Sequence, residues 1–297
     1  MAWMIARVSL AAGVGLIMSH AAPAAPFFFS TGDPDGRIAA ASRPDSGGAF
    51  EIESADDFVL TATTRLDSAT FTGLVPTGSS LANVAVEIYR VFPNDSDVGR
   101  TSGPPTFSTP QVPTRVNSPS DVAFDSRDGA GGTLSFTTGI LSPTFTAVNS
   151  VQPGGIHPKP GQTTGGNGPV TGQEVEFGVT FTTPLTLDAG HYFFIPQVAL
   201  DTGDFLWLSA AKPIVPSGTP FPPGFTDLQS WTRDAFLDPD WLRIGTDIIG
   251  PPPTGGSAPT FNAAFSLSGE TVPEPGSLAL LVLGIAGLGF MRRRRGA

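Results

Sequence analysis

Cysteine is absent from the 297 residues, and lysine occurs only twice, as Lys159 and Lys212. Without a thiol there is no disulfide framework, no thiolate metal site and no cysteine nucleophile, so the fold must be held by burial alone. Positive charge is scarce: 16 Lys and Arg stand against 26 Asp and Glu, a formal net charge of −10. Phosphate contact requires a basic face, so nucleic acid is excluded as a partner. Histidine is nearly missing too, with His20, His157 and His191 the whole supply. A serine hydrolase needs a nucleophile, a histidine base and an orienting acid. No Gly-x-Ser-x-Gly elbow is present, His157 lies in a Pro/Gly loop, and His191 opens an aromatic strand. Two isolated histidines make no zinc cluster, and neither a metal nor a cofactor is expected.

Helical periodicity is the other thing lacking. The chain carries 36 Gly and 30 Pro, and segments punctuated so often leave no room for helices longer than two turns. Strand alternation is strong instead. Val175, Phe177, Val179 and Phe181 alternate with Glu174, Glu176, Gly178 and Thr180, as a half-buried strand requires. The same period runs through Val84, Val86 and Ile88, and through Phe261, Ala263, Phe265 and Leu267. Ala55–Leu60 and Ala69–Leu74 read as two early strands, while the denser His191–Ile195 and Phe205–Leu208 belong in a sheet centre. The expectation is an all-β, antiparallel β-sandwich of Greek-key or jelly-roll type. Irregular stretches separate the strands at 93–127, 152–172 and 213–227, with a further loop at 250–257 before a closing strand at 260–268. No repeat of fixed period is visible. Two smaller sandwiches divided near 152–172 are the alternative to one domain.

The two ends differ in kind from the middle. Residues 1–24 read as a secretory signal peptide, with Arg7 as its positive charge, an apolar run from Val8 to Met18, and small residues for cleavage after Ala24 or Ala21. Residues 272–297 hold a Pro273-Glu274-Pro275 tag, an uncharged apolar run from Gly276 to Met291, and then Arg292, Arg293, Arg294 and Arg295. As a helix at about 1.5 Å per residue the run reaches roughly 25 Å, close to the ~30 Å of a bilayer core. Four guanidiniums do not cross that core cheaply, so they act as a stop on the cytoplasmic side. The remaining domain, residues 25–271, is more acidic than the whole chain. It keeps 11 basic residues (16 less Arg7 and the four tail arginines) and 25 acidic ones (26 less Glu274), about −14 in all.

Tag, apolar run and basic end, in that order and spacing, resemble the PEP-CTERM sorting signal of Gram-negative bacteria. The resemblance covers roughly residues 272–295. It implies that a membrane enzyme, exosortase, recognises Pro273, Glu274 and Pro275 and removes the anchor, so that these residues are another enzyme's substrate. It implies export, transient anchoring in the inner membrane, and release to the cell surface or extracellular matrix. Ala55-Asp56-Asp57-Phe58 and Pro184–Tyr192 more weakly resemble strands of sandwich domains in proteins with such tails, which supports the fold and carries no activity.

Candidate chemistry in the domain is sparse. Trp207, Trp231 and Trp241 fall in one short span with Arg233, Asp234, Asp240 and Arg243. An indole face stacks on the C–H face of a sugar while Arg and Asp bond its hydroxyls, so Trp231, Trp241, Arg233 and Asp240 are the candidate glycan-binding residues, with exopolysaccharide as the partner. Tryptophan also fills cores; Trp207 is assigned there, and Trp231 and Trp241 stay open between the two roles. Asp234, Asp238 and Asp240 would be the acid pair of a rival carbohydrate hydrolase, although Asp-Pro is more simply a turn. Oxygen clusters at Asp33–Gly36, Asn94–Gly99 and Asp125–Gly129 offer calcium ligands, but none completes an EF-hand and turn chemistry explains all three. Some proteins with this tail are called ice-binding, and Thr70-Phe71-Thr72, Thr144-Phe145-Thr146 and Thr180-Phe181-Thr182 invite that third reading. Strands with Phe inward and Thr outward explain them better. The expectation is a non-enzymatic, structural or adhesive exported protein.

Overall fold

In chain order the strands are β1 (Pro26–Ser30), β2 (Pro34–Ala41), β3 (Ile52–Leu60), β4 (Thr64–Val75), β5 (Leu81–Arg90), β6 (Asp125–Asp128), β7 (Leu134–Ala147) and β8 (Ser150–Val151). They continue as β9 (Val170–Leu187), β10 (Gly190–Leu200), β11 (Leu206–Ala210), β12 (Trp231–Asp234), β13 (Leu242–Arg243), β14 (Asn262–Ala263) and β15 (Phe265–Thr271). The computed structural model describes residues 24–96, 112–156 and 163–272. The signal-peptide core, the Pro-Glu-Pro tag, the apolar tail, its arginines, His157 and Asp97–Gly99 lie outside the described residues. Helical structure among the described residues is confined to a 3-10 turn, Pro153–Gly155, and a π-helical turn, Ile244–Ile249. No helix among them is long and apolar enough to cross a membrane.

Two sheets result. In the nine-stranded one, β7, β9 and β4 are neighbours, and β15 and β11 follow one another along the second edge of β4. β1 borders β15, β2 borders β11, β8 borders β2, and β14 pairs with β11. The six-stranded sheet runs β13-β12-β3-β10-β5-β6. Every pairing is antiparallel except β2 with β8.

The sheets pack face to face because alternation sends the apolar residues of each to one side. Phe71 and Phe177, adjacent on β4 and β9, stack at 4.8 Å. Phe194 of the opposite sheet stacks on Phe265 at 5.1 Å and meets Trp207 edge-on at 6.0 Å. Phe58 reaches Phe29 across the same gap at 6.3 Å. At Gly73 an added Cβ would lie 2.2 Å from the Phe205 ring, so no larger residue fits beside β11.

The expected closing strand at 260–268 is interrupted. Ala264 separates β14 from β15, because β14 pairs with β11 and β15 has moved on to β4. On their outward face Thr70 and Ser266 share a hydroxyl bond of 2.6 Å, while Thr180 pairs with Ser68 one row away. The outer surface of the six-stranded sheet is also covered. Loops fold over it, and Tyr89, Phe193, Ile195, Leu228, Trp231 and Trp241 form a separate buried cluster there. Residues Ala25–Val272 form one compact unit.

Candidate functional site

The cluster on the outer face of the six-stranded sheet encloses a network of charged and hydroxyl groups. Period-two alternation on β12 sends Trp231 and Arg233 outward together, opposite Ala55 and Glu53 of β3. Glu87 and Tyr89 project from β5 on the same side. The Arg233 guanidinium donates through Nε to Glu53 and through Nη2 to the Tyr89 hydroxyl at 2.8 Å, and pairs with Asp238 at 2.8 Å. The Tyr89 hydroxyl is shared between Glu53 at 2.9 Å and Glu87 at 3.1 Å. Arg233 also lies over the Trp241 ring, 4.3 Å from its centroid.

Its electrostatics follow from burial. Desolvation, followed by the charge of neighbouring Glu53, pushes the Glu87 carboxyl up to about 7. Burial also raises Glu51, against the hydrogen bond it accepts from Gln197 at 2.8 Å. The same two causes, burial and the Glu53 charge, raise the Tyr89 phenol and keep it a donor.

This geometry settles the position of the residues singled out from sequence. Trp231 and Trp241 are each 1% exposed, so neither offers a ring face on which a sugar could stack. Trp241 donates its indole N–H to the Ser120 carbonyl at 3.1 Å and packs edge-on against Tyr89. The stacking platform expected from sequence is therefore corrected: both indoles are core, as is Trp207, which donates to the Ala264 carbonyl at 2.9 Å. Arg233 is committed to Glu53, and Asp240, also 1% exposed, faces Arg115 at 3.8 Å. Asp234 accepts the N–H groups of Phe236 and Leu237 at 3.0 and 3.1 Å, a turn, and Asp238 belongs to Arg233. The three aspartates thus have separate partners.

The oxygen clusters behave as turns where they are described. Asp35 accepts the Arg37 N–H at 3.0 Å, Asp128 accepts Gly131 N–H at 2.7 Å and Asn83 at 2.8 Å, and Asp125 pairs with Arg127 at 3.1 Å. Among the described residues no group of three or more His, Asp or Glu could hold a metal ion.

One side of this outer cluster opens to a cleft of about 320 Å³. Trp231 and Arg243 line it, joined by Lys212, Asp227, Gln229, Asn117 and Thr114. Lys212 is fixed by Asp227 Oδ1 at 2.6 Å and Asn262 Oδ1 at 3.0 Å, and Arg243 by Asp247 at 2.6 Å. Each cation of the wall is thereby neutralised. The Trp231 indole N–H is buried and has no hydrogen-bond partner. The cleft wall thus offers paired charges, the Gln229 and Asn117 amides and the Thr114 hydroxyl.

A second polar network escaped the sequence reading. Asp56 and Asp57 are consecutive on β3, so they face opposite sides, and both are buried. Asp56 accepts the Ser230 hydroxyl at 3.1 Å and the Ala263 N–H at 2.8 Å, and Asp57 holds His191 and the Leu228 N–H. Burial, then the charge of Asp57, holds the Asp56 carboxyl well above its usual range, and burial raises Asp57 despite His191. Two adjacent acids directly before the apolar run Phe58–Leu60 were the visible signal, since each must find its own partner once buried.

Comparison with known proteins adds one match. The family model of the PEP-CTERM protein-sorting motif fits residues 271–295. The chain carries a PEP-CTERM sorting motif. The match begins one residue before the stretch read from sequence and ends at the same arginine. It marks an exosortase-sorted extracellular protein, exported and held at a membrane before processing, with exosortase as the processing partner. Neither the curated proteins nor the solved structures provide a match to the chain.

Proposed function

We propose that this PEP-CTERM protein is a non-enzymatic component of the cell surface or exopolysaccharide matrix, one exported sandwich domain that holds neutral glycan in the Trp231 cleft. The amides of Gln229 and Asn117 and the Thr114 hydroxyl, set in a cleft whose cations are already paired, are the observation that carries this reading, because a neutral, hydroxyl-rich ligand matches such a wall. Support for the non-enzymatic part comes from Asp234, Asp238 and Asp240, each engaged by its own structural partner. Binding of purified Ala25–Val272 to the exopolysaccharide of the producing organism tests it. Gln229→Ala and Asn117→Ala should each weaken saturable binding about tenfold, the equivalent of roughly 1.4 kcal/mol. Absent binding, or binding indifferent to both changes, would sink the proposal.

A second reading, a carbohydrate hydrolase, has one observation in its favour. Glu53 and Glu87 sit either side of the Tyr89 hydroxyl, with Glu87 raised to about 7, a value suited to a general acid. Glu53 is, however, already neutralised by Arg233.

A further inference from the structure

The two processing points of the chain meet at one corner of the nine-stranded sheet. β1 and β15 are antiparallel, with Pro26 opposite Glu270. One step further out, Thr271 N–H donates to the Ala25 carbonyl at 2.8 Å, its hydroxyl donates to the same carbonyl at 3.3 Å, and Ala25 N–H donates to the Thr271 hydroxyl at 3.2 Å. On its other edge Thr271 is paired with Thr64, and Val272 N–H donates to the Thr63 carbonyl at 2.7 Å. Both edges of the β15 terminus are therefore spent. Pro273, the first residue of the tag, follows immediately; there is no spacer. Ala25 is in turn the first residue after the expected signal-peptide cut at Ala24.

We propose that this β1–β15 pairing is a clamp on exosortase processing, in which the new N-terminus holds the strand that leads into the tag. The inference rests on the sorting reading above. An enzyme that grips a substrate as extended backbone needs free N–H and C=O groups on the residues flanking its motif. Here Thr271 and Val272, the two residues before the tag, have their N–H groups engaged, one by Ala25 and the other by Thr63. Processing must then wait for the Ala25–Pro26 end of β1 to fray, as strand ends do. Fraying frees the Ala25 edge of Thr271 without unfolding the sandwich, because the aromatic core lies farther along both strands, at Phe29 and Phe265. The clamp thus sets the rate at which the anchored form becomes the released form, and it closes only around a chain whose N-terminal strand has folded.

The experiment follows loss of the C-terminal segment from the full chain in its own producing cell, by pulse-chase and mass shift. Six Gly/Ser residues inserted between Val272 and Pro273 should raise the processing rate at least threefold. Thr271→Val, which deletes the hydroxyl bonds to Ala25 and keeps the strand, should raise it by a smaller factor. A joint Pro273→Ala and Glu274→Ala variant should stop processing. Arrest by that variant together with an unchanged rate in the insertion variant would overturn the clamp alone. Continued processing of the tag variant would overturn the sorting reading and the clamp with it.

Discussion

The two faces of the six-stranded sheet are buried by opposite means. Inward, Phe58, Phe194 and Val198 meet Phe71, Phe205, Trp207 and Phe265 across a gap filled mostly by aromatic rings, with the Asp56 carboxyl bonded to Ala263 beside them. Outward, the burial of Tyr89, Phe193, Trp231 and Trp241 encloses Glu53 and Arg233 among them. Dispersion and apolar area hold the first, and they do not titrate. The second is held by an ion pair and shared hydroxyls, so it depends on the protonation state of its glutamates. A domain with no disulfide can close its main core with aromatics, yet its loops are pinned by charge.

The comparison can be broken hardest at Arg233. Arg233→Ala leaves Glu53 buried and unpaired and should cost about 3–5 kcal/mol in chemical denaturation. Replacing both partners, Arg233→Met with Glu53→Met, should recover most of that loss; failure to recover would mean that the pair is not what the site depends on. Phe194→Ala should cost about 3–4 kcal/mol by opening a cavity, with the same loss at pH 5 and pH 8. A pH-dependent loss at Phe194 would erase the distinction between the faces.

Acidity sharpens it further. Glu87 releases its proton near 7 when folded and near its ordinary 4.5 when unfolded. The folded chain binds the extra proton between those values, so this contribution is complete below about pH 4.5 and is lost as pH rises through 7. Glu51, Asp56 and Asp57 are raised too and push in the same direction. Glu87→Gln should flatten the slope of stability between pH 5 and 7 by about 2 kcal/mol, after allowance for partial exposure of the side chain. An unchanged slope would show that Glu87 is ordinary. Smallest of all, Thr70→Ala on the outer face of the other sheet should stay within about 0.5 kcal/mol.

Legibility tracked the apolar period. β5 and β9 were readable because apolar and polar residues alternate there, and β3, β4, β10 and β11 because apolar residues crowd into short runs. β7 was not: its Ser, Thr and Gly positions are mostly exposed, so no buried face shows in the pattern. β12 was hidden in another way, since Trp-Thr-Arg-Asp is buried throughout and burial of Arg233 depends on Glu53, 180 residues away. For the same reason the tryptophans were visible as a group while their burial was not. The cleft joins Lys212 and Asp227 to Trp231 and Arg243 through loops whose composition says only that they are irregular. The tail was the plainest feature, because its tag, apolar run and arginines lie within 25 consecutive residues and need no partner elsewhere.

The measurement closest to the central claim is the chain length of exopolysaccharide incubated with purified Ala25–Val272, recorded together with its binding. Saturable binding that leaves the length distribution unchanged over hours at pH 5 and pH 7 is the predicted result. Shortened chains, abolished by Glu87→Gln, would contradict it and make the carboxylates around Tyr89 a hydrolase centre.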